Sequence, residues 1–284
     1  MKKCHQIFKQ WTSAEVFYLS QLGVRAQERR MWVTIEDEDL YFTIKNHFAE
    51  LNVKYLEFDP SGYYVYSKKE ILGAPYCLLT SASHGCGYPQ PENSYLLKTF
   101  DVSQMCQQCH VGKVQNQPFR VSKLSKSGFW SFFAWELDTY FVSDEIYESV
   151  FAPYNIQRMP VVLTSGKTAK GVTQLIFPVI EESLDLYAYR YEICPNCGWK
   201  KYLPGEEDLH PFFPLHQQPL HGAYKIKELK GQGWQVRQPI LLCSEIVLKL
   251  LSMKLIDYQS LIPCTQDIER YWGPKSDYIV NNPK

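Results

Sequence analysis

The chain has 284 residues, of which 45% are hydrophobic and 21% charged, with 15 glycines and 17 prolines. This composition is typical of globular proteins and excludes a fibrous or wholly disordered chain. The 30 basic side chains are balanced by 30 acidic ones, so no net field attracts nucleic acid or an anionic membrane. The length favours two domains.

The amino terminus, "MKKCHQIFKQW", lacks the continuous apolar stretch of a secretory signal. The most apolar long segment, "PILLCSEIVLKLLSMKLI", is interrupted by Glu245, Lys249 and Lys254 short of the ~20 residues that span a bilayer. We therefore expect a cytoplasmic protein without membrane contact. In a reducing cytosol, the nine cysteines favour metal or redox sites over a disulfide framework.

Residues 1–98 are predicted to form a small α/β domain. Leu40, Ile44, Phe48 and Leu51 recur at helical spacing, and the acidic run "IEDED" before them suits the start of a helix. Two β-rich segments then flank Asp59-Pro60-Ser61-Gly62, which predicts a hairpin.

The segment "SHGCGYPQPENS", residues 83–94, is rich in glycine, proline and polar residues and is the candidate linker between the domains. We place the boundary near residue 98. His84 and Cys86 lie close together in this segment, and a cysteine nucleophile with a histidine base is a known catalytic pair. Adjacent loop positions do not establish that geometry, so ordinary loop residues are the simpler interpretation.

The first cysteine pair is Cys106 and Cys109 in "CQQCH", with His110 directly behind. The string matches the attachment motif of a c-type haem, but half of a zinc site has the same spacing. Covalent haem attachment normally follows export, and nothing marks this chain for export. The zinc interpretation is therefore favoured.

The second pair is Cys194 and Cys197 in "CPNCG", a typical zinc knuckle in which Gly198 supplies a left-handed turn. The four thiolates of Cys106, Cys109, Cys194 and Cys197 are predicted to share one structural zinc ion. Independent sites, reduced structural thiols and redox chemistry are the alternatives. A redox role would require a helix start after the cysteines, for which Gly198-Trp199 is poorly suited.

Residues 138–162 and 238–262 match in pattern when aligned without gaps at an offset of 100. In each, an apolar strand precedes a capping residue, Asp144 or Ser244, and then an apolar helical face and a return strand. Each segment also follows a CxxC pair. The order predicts an internal duplication, with chance similarity of two amphipathic segments as the alternative. The predicted fold class is α+β, with residues 99–284 forming a double zinc-knuckle domain.

Two further motifs have simple structural interpretations. His210, His216 and His221 lie in the proline-rich "HPFFPLHQQPLH", where an extended loop is favoured over a second metal site. The string "SGKTAKG" resembles the end of a phosphate-binding loop but lacks the upstream glycine spacing. It predicts a hairpin turn instead.

Over about residues 100–265 the sequence resembles the double-CXXCG motif proteins of bacteria. The resemblance is carried by Cys106, Cys109, "CPNCG", "YFVSDEI" and "ILLCSEI". His110 departs from the pattern, since the family has glycine there. It has either a backbone role only or competes with a cysteine as a ligand. The amino-terminal hundred residues do not match the family.

The resemblance implies an immunity protein of a polymorphic toxin system, which neutralises a cognate toxin protein by stoichiometric binding without catalysis. Aromatic anchors would provide the affinity, and the candidates are Trp130, Trp135, Trp199 and Trp234. The first alternative is a zinc ribbon that binds nucleic acid, which needs a basic face around Lys123, Lys126, Lys200 and Lys201. The second is an enzyme that uses a thiol or a metal.

Overall fold

The structure, a computed structural model, describes residues 1–28, 31–51, 53, 57–58, 62–84, 94–121, 124–131, 138–217, 221–232 and 236–278. It is a mixed α+β fold, as predicted. The chain divides into two compact units, of which unit 1 comprises Met1–Ser67 with Asp208–Pro211 and unit 2 comprises Lys68–Glu207 with Phe212–Lys284. Within the described part of the chain, no helix has the length and apolarity needed to cross a membrane.

Unit 1 is a small antiparallel sheet with two helices. Its elements are β1 (Lys2–Phe8), α1 (Ser13–Gln21), β2 (Trp32–Ile35), α2 (Glu38–Glu50), β3 (Glu57–Phe58) and β4 (Tyr63–Val65). Ile7, Tyr41, Ile44 and Phe48 belong to its core. The acidic run opens α2 as predicted, because the carboxylate of Asp37 accepts a hydrogen bond from the amide of Leu40 at 2.9 Å.

The predicted hairpin is wrong. Both β3 and β4 pair antiparallel with β1, so they run in the same direction and do not pair with each other. Ile7 lies opposite Phe58 and Cys4 lies opposite Tyr63, so the chain between the two strands is longer than the stretch of β1 that it passes. Of the predicted turn, residues 59–61 lie outside the described residues.

Unit 2 contains the remaining described β-strands and α-helices, except that α6 ends in the segment Asp208–Pro211 of unit 1. In chain order they are α3 (Lys68–Gly73), β5 (Tyr76–Leu79), β6 (Ser83–His84), α4 (Ser94–Thr99), β7 (Phe100–Asp101), β8 (Val114–Gln115), β9 (Arg120–Val121), β10 (Phe129–Ser131), β11 (Tyr140–Ser143), α5 (Asp144–Ile146), β12 (Gln157–Leu163), β13 (Thr168–Ile176), β14 (Val179–Ile180), β15 (Tyr191–Ile193), β16 (Lys200–Tyr202), α6 (Glu206–Leu209), β17 (Phe213–Pro214), β18 (Ala223–Ile226), β19 (Leu229–Lys230), β20 (Ile240–Cys243), α7 (Ser244–Ser252), β21 (Leu261–Thr265) and α8 (Glu269–Trp272).

Two six-stranded sheets form the framework of unit 2. Their spatial orders are β6-β10-β11-β13-β12-β9 and β14-β18-β20-β5-β21-β17. In both sheets the successive pairings are parallel, antiparallel, antiparallel, antiparallel and parallel. Strand order and strand direction therefore agree at every position of the two sheets.

The chain passes from one sheet to the other at two corresponding places. Strand β5 is central in the second sheet, while β6, which follows it, lies at the edge of the first. Strand β13 is central in the first sheet, while β14, which follows it, lies at the edge of the second. Each sheet thus takes its central strand from the chain segment that continues into the other sheet.

This topology moves the boundary between the units. The sequence places it near residue 98, whereas the structure divides the chain after Ser67. The reason is β5, whose four residues are all buried and which pairs with both β20 and β21. A strand from before the candidate linker is thereby part of the core of the second sheet.

The two predicted strand-helix-strand segments are present, with two differences in detail. The first helix is capped by Ser143, whose hydroxyl accepts from the amide of Ile146 at 3.3 Å, and not by Asp144. The second helix has Cys243 at the capping position, without a side-chain hydrogen bond, in place of Ser244. The N-cap position is therefore one residue earlier than predicted in both segments, and only Ser143 caps its helix with a side chain.

The offset of 100 residues also fails before the return strands. In the first sheet, the central strand β13 pairs with Val142 of β11 on one side and with Pro160 of β12 at the same level on the other. In the second sheet, β5 pairs in the same way with Leu242 of β20 and Pro263 of β21. Val142 and Leu242 are separated by the offset of 100 residues, but Pro160 and Pro263 are separated by more than 100 residues. Extra residues precede β21, where a 3-10 turn at Tyr258–Ser260 follows the end of α7.

Candidate metal centre

The four cysteines predicted as ligands converge on one point. The Sγ atoms of Cys106, Cys109, Cys194 and Cys197 all lie within 4.8 Å of one another. The Sγ atoms of Cys106 and Cys194 are 3.8 Å apart, and those of Cys109 and Cys197 are 3.4 Å apart. None of the four is in a disulfide. These thiols form a group of side chains that can hold a metal ion.

The separations fit a tetrahedral thiolate site. With metal–sulfur bonds of about 2.3 Å, the sulfurs of a Cys4 zinc site lie about 3.8 Å apart. Cys106, Cys109 and Cys194 are buried, while Cys197 is exposed. Four thiolates would occupy all four positions around a tetrahedral ion, as in structural sites, whereas catalytic sites keep a position open.

Each CxxC pair lies in a tight turn of the same form. The amide of His110 donates to the carbonyl of Cys106 at 2.8 Å, and the amide of Gly198 donates to the carbonyl of Cys194 at 2.9 Å. A second bond closes each turn, from Cys106 N to Val111 O and from Cys194 N to Trp199 O. The two turns have the same hydrogen-bonding pattern despite their different sequences.

His110 occupies the backbone position of the knuckle glycine. Its φ is 58°, and that of Gly198 is 74°, so both residues are in the left-handed region. The group of metal-ligating atoms consists of the four cysteines and does not include His110. Of the two roles left open by the sequence, the geometry favours the backbone role.

Hydrogen bonds prepare Cys106 for metal binding. Asn196 Nδ2 donates to Cys106 Sγ at 3.2 Å, and this bond, with the amide of Cys109, lowers the pKa of Cys106 to about 6. A thiol with this pKa is largely thiolate at neutral pH, which is the form that binds metals. Asn196 thus contacts a ligand from the other knuckle, a role that its sequence position alone did not indicate.

Burial has the opposite effect on a second ligand. It raises the pKa of Cys109 to about 12, because the thiolate loses solvation in the interior. A divalent cation among the sulfurs would offset that cost by stabilising the deprotonated form. The cluster therefore includes Cys106, which is readily deprotonated, and Cys109, whose deprotonation depends on a nearby positive charge.

The surface beside the cysteines is partly apolar. Trp199 and Ile193 are 48% and 58% exposed, and both lie next to the second knuckle in the chain. Trp130, by contrast, is a core residue with 1% exposure. Trp135 and Trp234 lie outside the described residues. Among the candidate anchors, Trp199 is accessible to a partner.

Two of the four lysines predicted for a basic face contact other side chains, while Lys126 is exposed. Lys201 is buried, and its Nζ donates to the carboxylate of Glu192 at 2.7 Å. Lys200 Nζ lies over the rings of Tyr191 and Tyr202, at 4.0 and 4.6 Å from their centroids. Lys123 lies outside the described residues. A basic surface suited to nucleic acid is not supported by Lys200 and Lys201.

The other candidate sites are not brought together by the described residues. His84 belongs to β6, while Cys86 lies outside the described residues. His216 is buried, with Nε2 at 2.7 Å from the carbonyl oxygen of Glu182, and His221 is exposed. The hairpin turn between β12 and β13 lies in the first part of "SGKTAKG", with Gly166 at a φ of 84°, whereas residues 168–171 already belong to β13.

Comparison of the chain with protein-family models, with curated proteins and with solved structures gave no match.

Proposed function

We propose that Cys106, Cys109, Cys194 and Cys197 hold a structural zinc ion in a cytoplasmic binding protein of the immunity type, which neutralises a cognate toxin protein by stoichiometric binding. The observation that carries the metal assignment is the convergence of four Sγ atoms within 4.8 Å. The toxin partner rests on the resemblance of the two knuckles and their strand-helix segments to the double-CXXCG proteins. In such a protein the metal gives rigidity to a surface and takes no part in a reaction.

The chain is, in this proposal, a duplication with exchanged strands. The matching order and direction of the two sheets support it, as do the matching hydrogen bonds of the two turns. Each copy contributes one knuckle, so a shared ion joins the copies covalently through metal–sulfur bonds. The exchange of β5 and β13 joins them a second time through backbone hydrogen bonds.

The contact surface lies beside the knuckles. An exposed tryptophan is a frequent anchor of protein interfaces because it buries a large apolar area at low entropic cost. Trp199 is held by the turn of the second knuckle, since its carbonyl accepts from the amide of Cys194 at 2.9 Å. The metal would therefore fix the anchor before the toxin binds.

The test uses the full chain with its zinc and the purified product of the neighbouring gene. We expect a 1:1 complex in light scattering after size-exclusion chromatography, and loss of toxin activity that is complete at equimolar protein. Trp199→Ala should weaken binding at least tenfold, which corresponds to a contribution of about 1.4 kcal/mol. Trp32→Ala is the matched control, because Trp32 is 53% exposed but belongs to unit 1.

The outcome separates the classes of function. Inactivation of the toxin by far less than one equivalent would point to an enzyme. No complex with the neighbouring gene product would contradict the immunity role, while the metal assignment would still be decided by elemental analysis.

A further inference from the structure

Strand β2 lies at the edge of the sheet of unit 1. The strand order is β2-β1-β3, so among the described residues β2 pairs with β1 on one side only. Natural proteins commonly place charged side chains or proline on edge strands, which prevents pairing with other chains. The four residues of β2, Trp32–Ile35, include neither. The sequence therefore leaves this edge without that protection.

The outward hydrogen-bonding groups of β2 belong to Trp32 and Thr34. The amide of Lys9 donates to the carbonyl of Met31 at 2.8 Å. In the next pair of this antiparallel ladder, Phe8 lies opposite Trp32. Because hydrogen-bonded and non-hydrogen-bonded pairs alternate along such a ladder, Trp32 and Thr34 direct their amides and carbonyls away from β1. Within the described part of the chain, these groups have no hydrogen-bond partner.

The side chains along this edge are accessible and largely apolar. Met31 and Trp32 are 64% and 53% exposed, and Thr34 is exposed as well. Phe8, which lies opposite Trp32 on the same face of the sheet, is 37% exposed. An added strand would cover part of this apolar surface, and its removal from water favours association.

The strand is complementary to itself in the antiparallel orientation. When Trp32 lies opposite Thr34 of a second copy, Thr34 also lies opposite Trp32 of that copy, and each pair exchanges two hydrogen bonds. The twofold axis then passes through Val33. In the sequence, Arg29-Arg30 precede the strand and Glu36-Asp37 follow it. The same register therefore places the positive end of each strand opposite the negative end of the other.

We propose that β2 pairs antiparallel with β2 of a second copy of this chain, which joins the two sheets of unit 1 into one. The contact is isologous and closed, so it produces a dimer and not a fibre. One pair of short strands buries less than the ~1,600 Å² of a standard interface, and we expect a dissociation constant of about 100 µM. The proposed toxin contact belongs to unit 2 and is tested at low micromolar concentration, where the chain is monomeric, so the two proposals can fail separately.

The test is sedimentation velocity of the full zinc-loaded chain at concentrations from about 20-fold below to about 5-fold above the expected constant. The sedimentation coefficient of the wild type should rise from that of a monomer towards that of a dimer. Thr34→Pro removes an outward amide without breaking a bond to β1, and it should weaken association at least tenfold. Thr34→Val is the matched control, because it keeps the amide and should associate as the wild type does.

A charge exchange tests the register independently. Glu36→Arg places like charges opposite each other in the dimer and should weaken association about threefold or more. Addition of Arg30→Glu to the same chain should restore the affinity of the wild type. Glu36 also pairs with Lys2, but these side chains are 59% and 67% exposed, so loss of that ion pair should leave unit 1 folded.

Hydrogen exchange locates the contact. The amides of Trp32 and Thr34 should exchange more slowly in the dimer than in the monomer. A monomer at every concentration, equal association of the wild type and Thr34→Pro, or no recovery in the double variant would overturn the proposal. Protection of this strand only in the presence of the neighbouring gene product would assign the edge to that protein instead. Circular dichroism and zinc content establish that the variants are folded.

Discussion

Lys249 donates a hydrogen bond from Nζ to the carbonyl oxygen of Ser149 at 2.8 Å, and the two residues are 100 positions apart in the chain. They hold equivalent places in the two strand-helix-strand segments. Gln238 and Asp138, also 100 positions apart, are joined as well, through the amide of Gln238 and the carboxylate of Asp138. In the proposed duplication, equivalent residues of the two copies would contact each other near an axis of approximate twofold symmetry.

The cysteines of the two knuckles also contact each other in pairs of corresponding residues. Cys106 contacts Cys194, and Cys109 contacts Cys197, each pair being 88 positions apart. In the proposed duplication, a metal ion among them would lie near the axis and be bound equally by both copies. The proposed zinc ion therefore has the place that a ligand shared by a symmetric dimer would have, although here both halves belong to one chain.

The symmetry of the site predicts equal effects of equivalent cysteines. Elemental analysis should find about one zinc ion per chain. Cys106→Ser and Cys194→Ser should each remove the ion and lower the free energy of unfolding by similar amounts, because either change opens the same closed site. Cys4→Ser in unit 1 is the control and should leave the zinc content unchanged. Strongly unequal losses would argue for separate sites.

Asn196 should tune the affinity of the site. Its Nδ2 donates to Cys106 Sγ at 3.2 Å, so Asn196→Ala removes a bond that stabilises the thiolate. We expect zinc affinity to fall roughly 10- to 100-fold in a competition assay with a chelator. Gln108→Ala is the matched amide control, because its Oε1 only accepts from the thiol of Cys194, at 4.0 Å, and a metal-bound thiolate has no such proton. Equal losses in both variants would contradict this role of Asn196.

His110 should be replaceable by glycine, whereas Gly198 should not be replaceable by alanine without a loss of stability. A non-glycine residue at a φ of 58° costs about 1 kcal/mol, so His110→Gly should retain the zinc ion and unfold at the same or higher denaturant concentration. Gly198→Ala, at a φ of 74°, should lose about 1 kcal/mol. Loss of zinc from His110→Gly would instead show that the imidazole is a ligand.

The sequence identified the chemistry of the centre better than its setting. The CxxC spacing and the apolar strand patterns located the four cysteines and the strand-helix-strand segments, because these features depend on neighbouring residues. It did not reveal Asn196 as a donor to Cys106, since that contact joins residues 90 positions apart. No local pattern encodes such a partner.

The position of β5 shows a second limit. Its sequence, "YCLL", predicts a buried strand equally well in either domain. Which sheet receives it is decided by pairing with β20 and β21, more than 150 residues later in the chain. The glycine- and proline-rich segment after it therefore predicts a domain boundary, although the strand before it belongs to unit 2.

Asp138 should make the protein sensitive to acid. Burial tends to raise the pKa of Asp138, but Lys225 and the amide of Gln238 outweigh it, and the net shift is downward. A lowered folded-state pKa stabilises the fold fully above the unfolded value of about 4, and this stability is lost as pH falls through the folded value. Denaturation curves of the wild type should therefore show falling stability below about pH 4.

The variant Asp138→Asn isolates this contribution. It should cost about 2 kcal/mol at pH 7, less than a fully buried pair, because the side chains of Lys225 and Asp138 are 20% and 18% exposed. Its stability should also depend less on pH below pH 4. Asp267→Asn, at an exposed aspartate, should leave both quantities unchanged. An identical acid profile in Asp138→Asn would show that other carboxylates dominate.

Truncation distinguishes the two positions of the domain boundary. A chain that begins at Lys68 keeps β5 and all strands of both six-stranded sheets, so it should fold cooperatively and bind one zinc ion.

A chain that begins at residue 99, the boundary predicted from the sequence, lacks β5. Its second sheet would then have β20 and β21 without the strand that joins them, and the apolar faces of Leu78 and Leu79 would be missing from the core. Because each lost core leucine costs about 2–5 kcal/mol, the loss exceeds the stability of most domains when the backbone pairing is included. We expect this shorter chain to be insoluble or unfolded by circular dichroism. A folded, zinc-binding product starting at residue 99 would instead show that β5 is dispensable and that the second sheet closes without it.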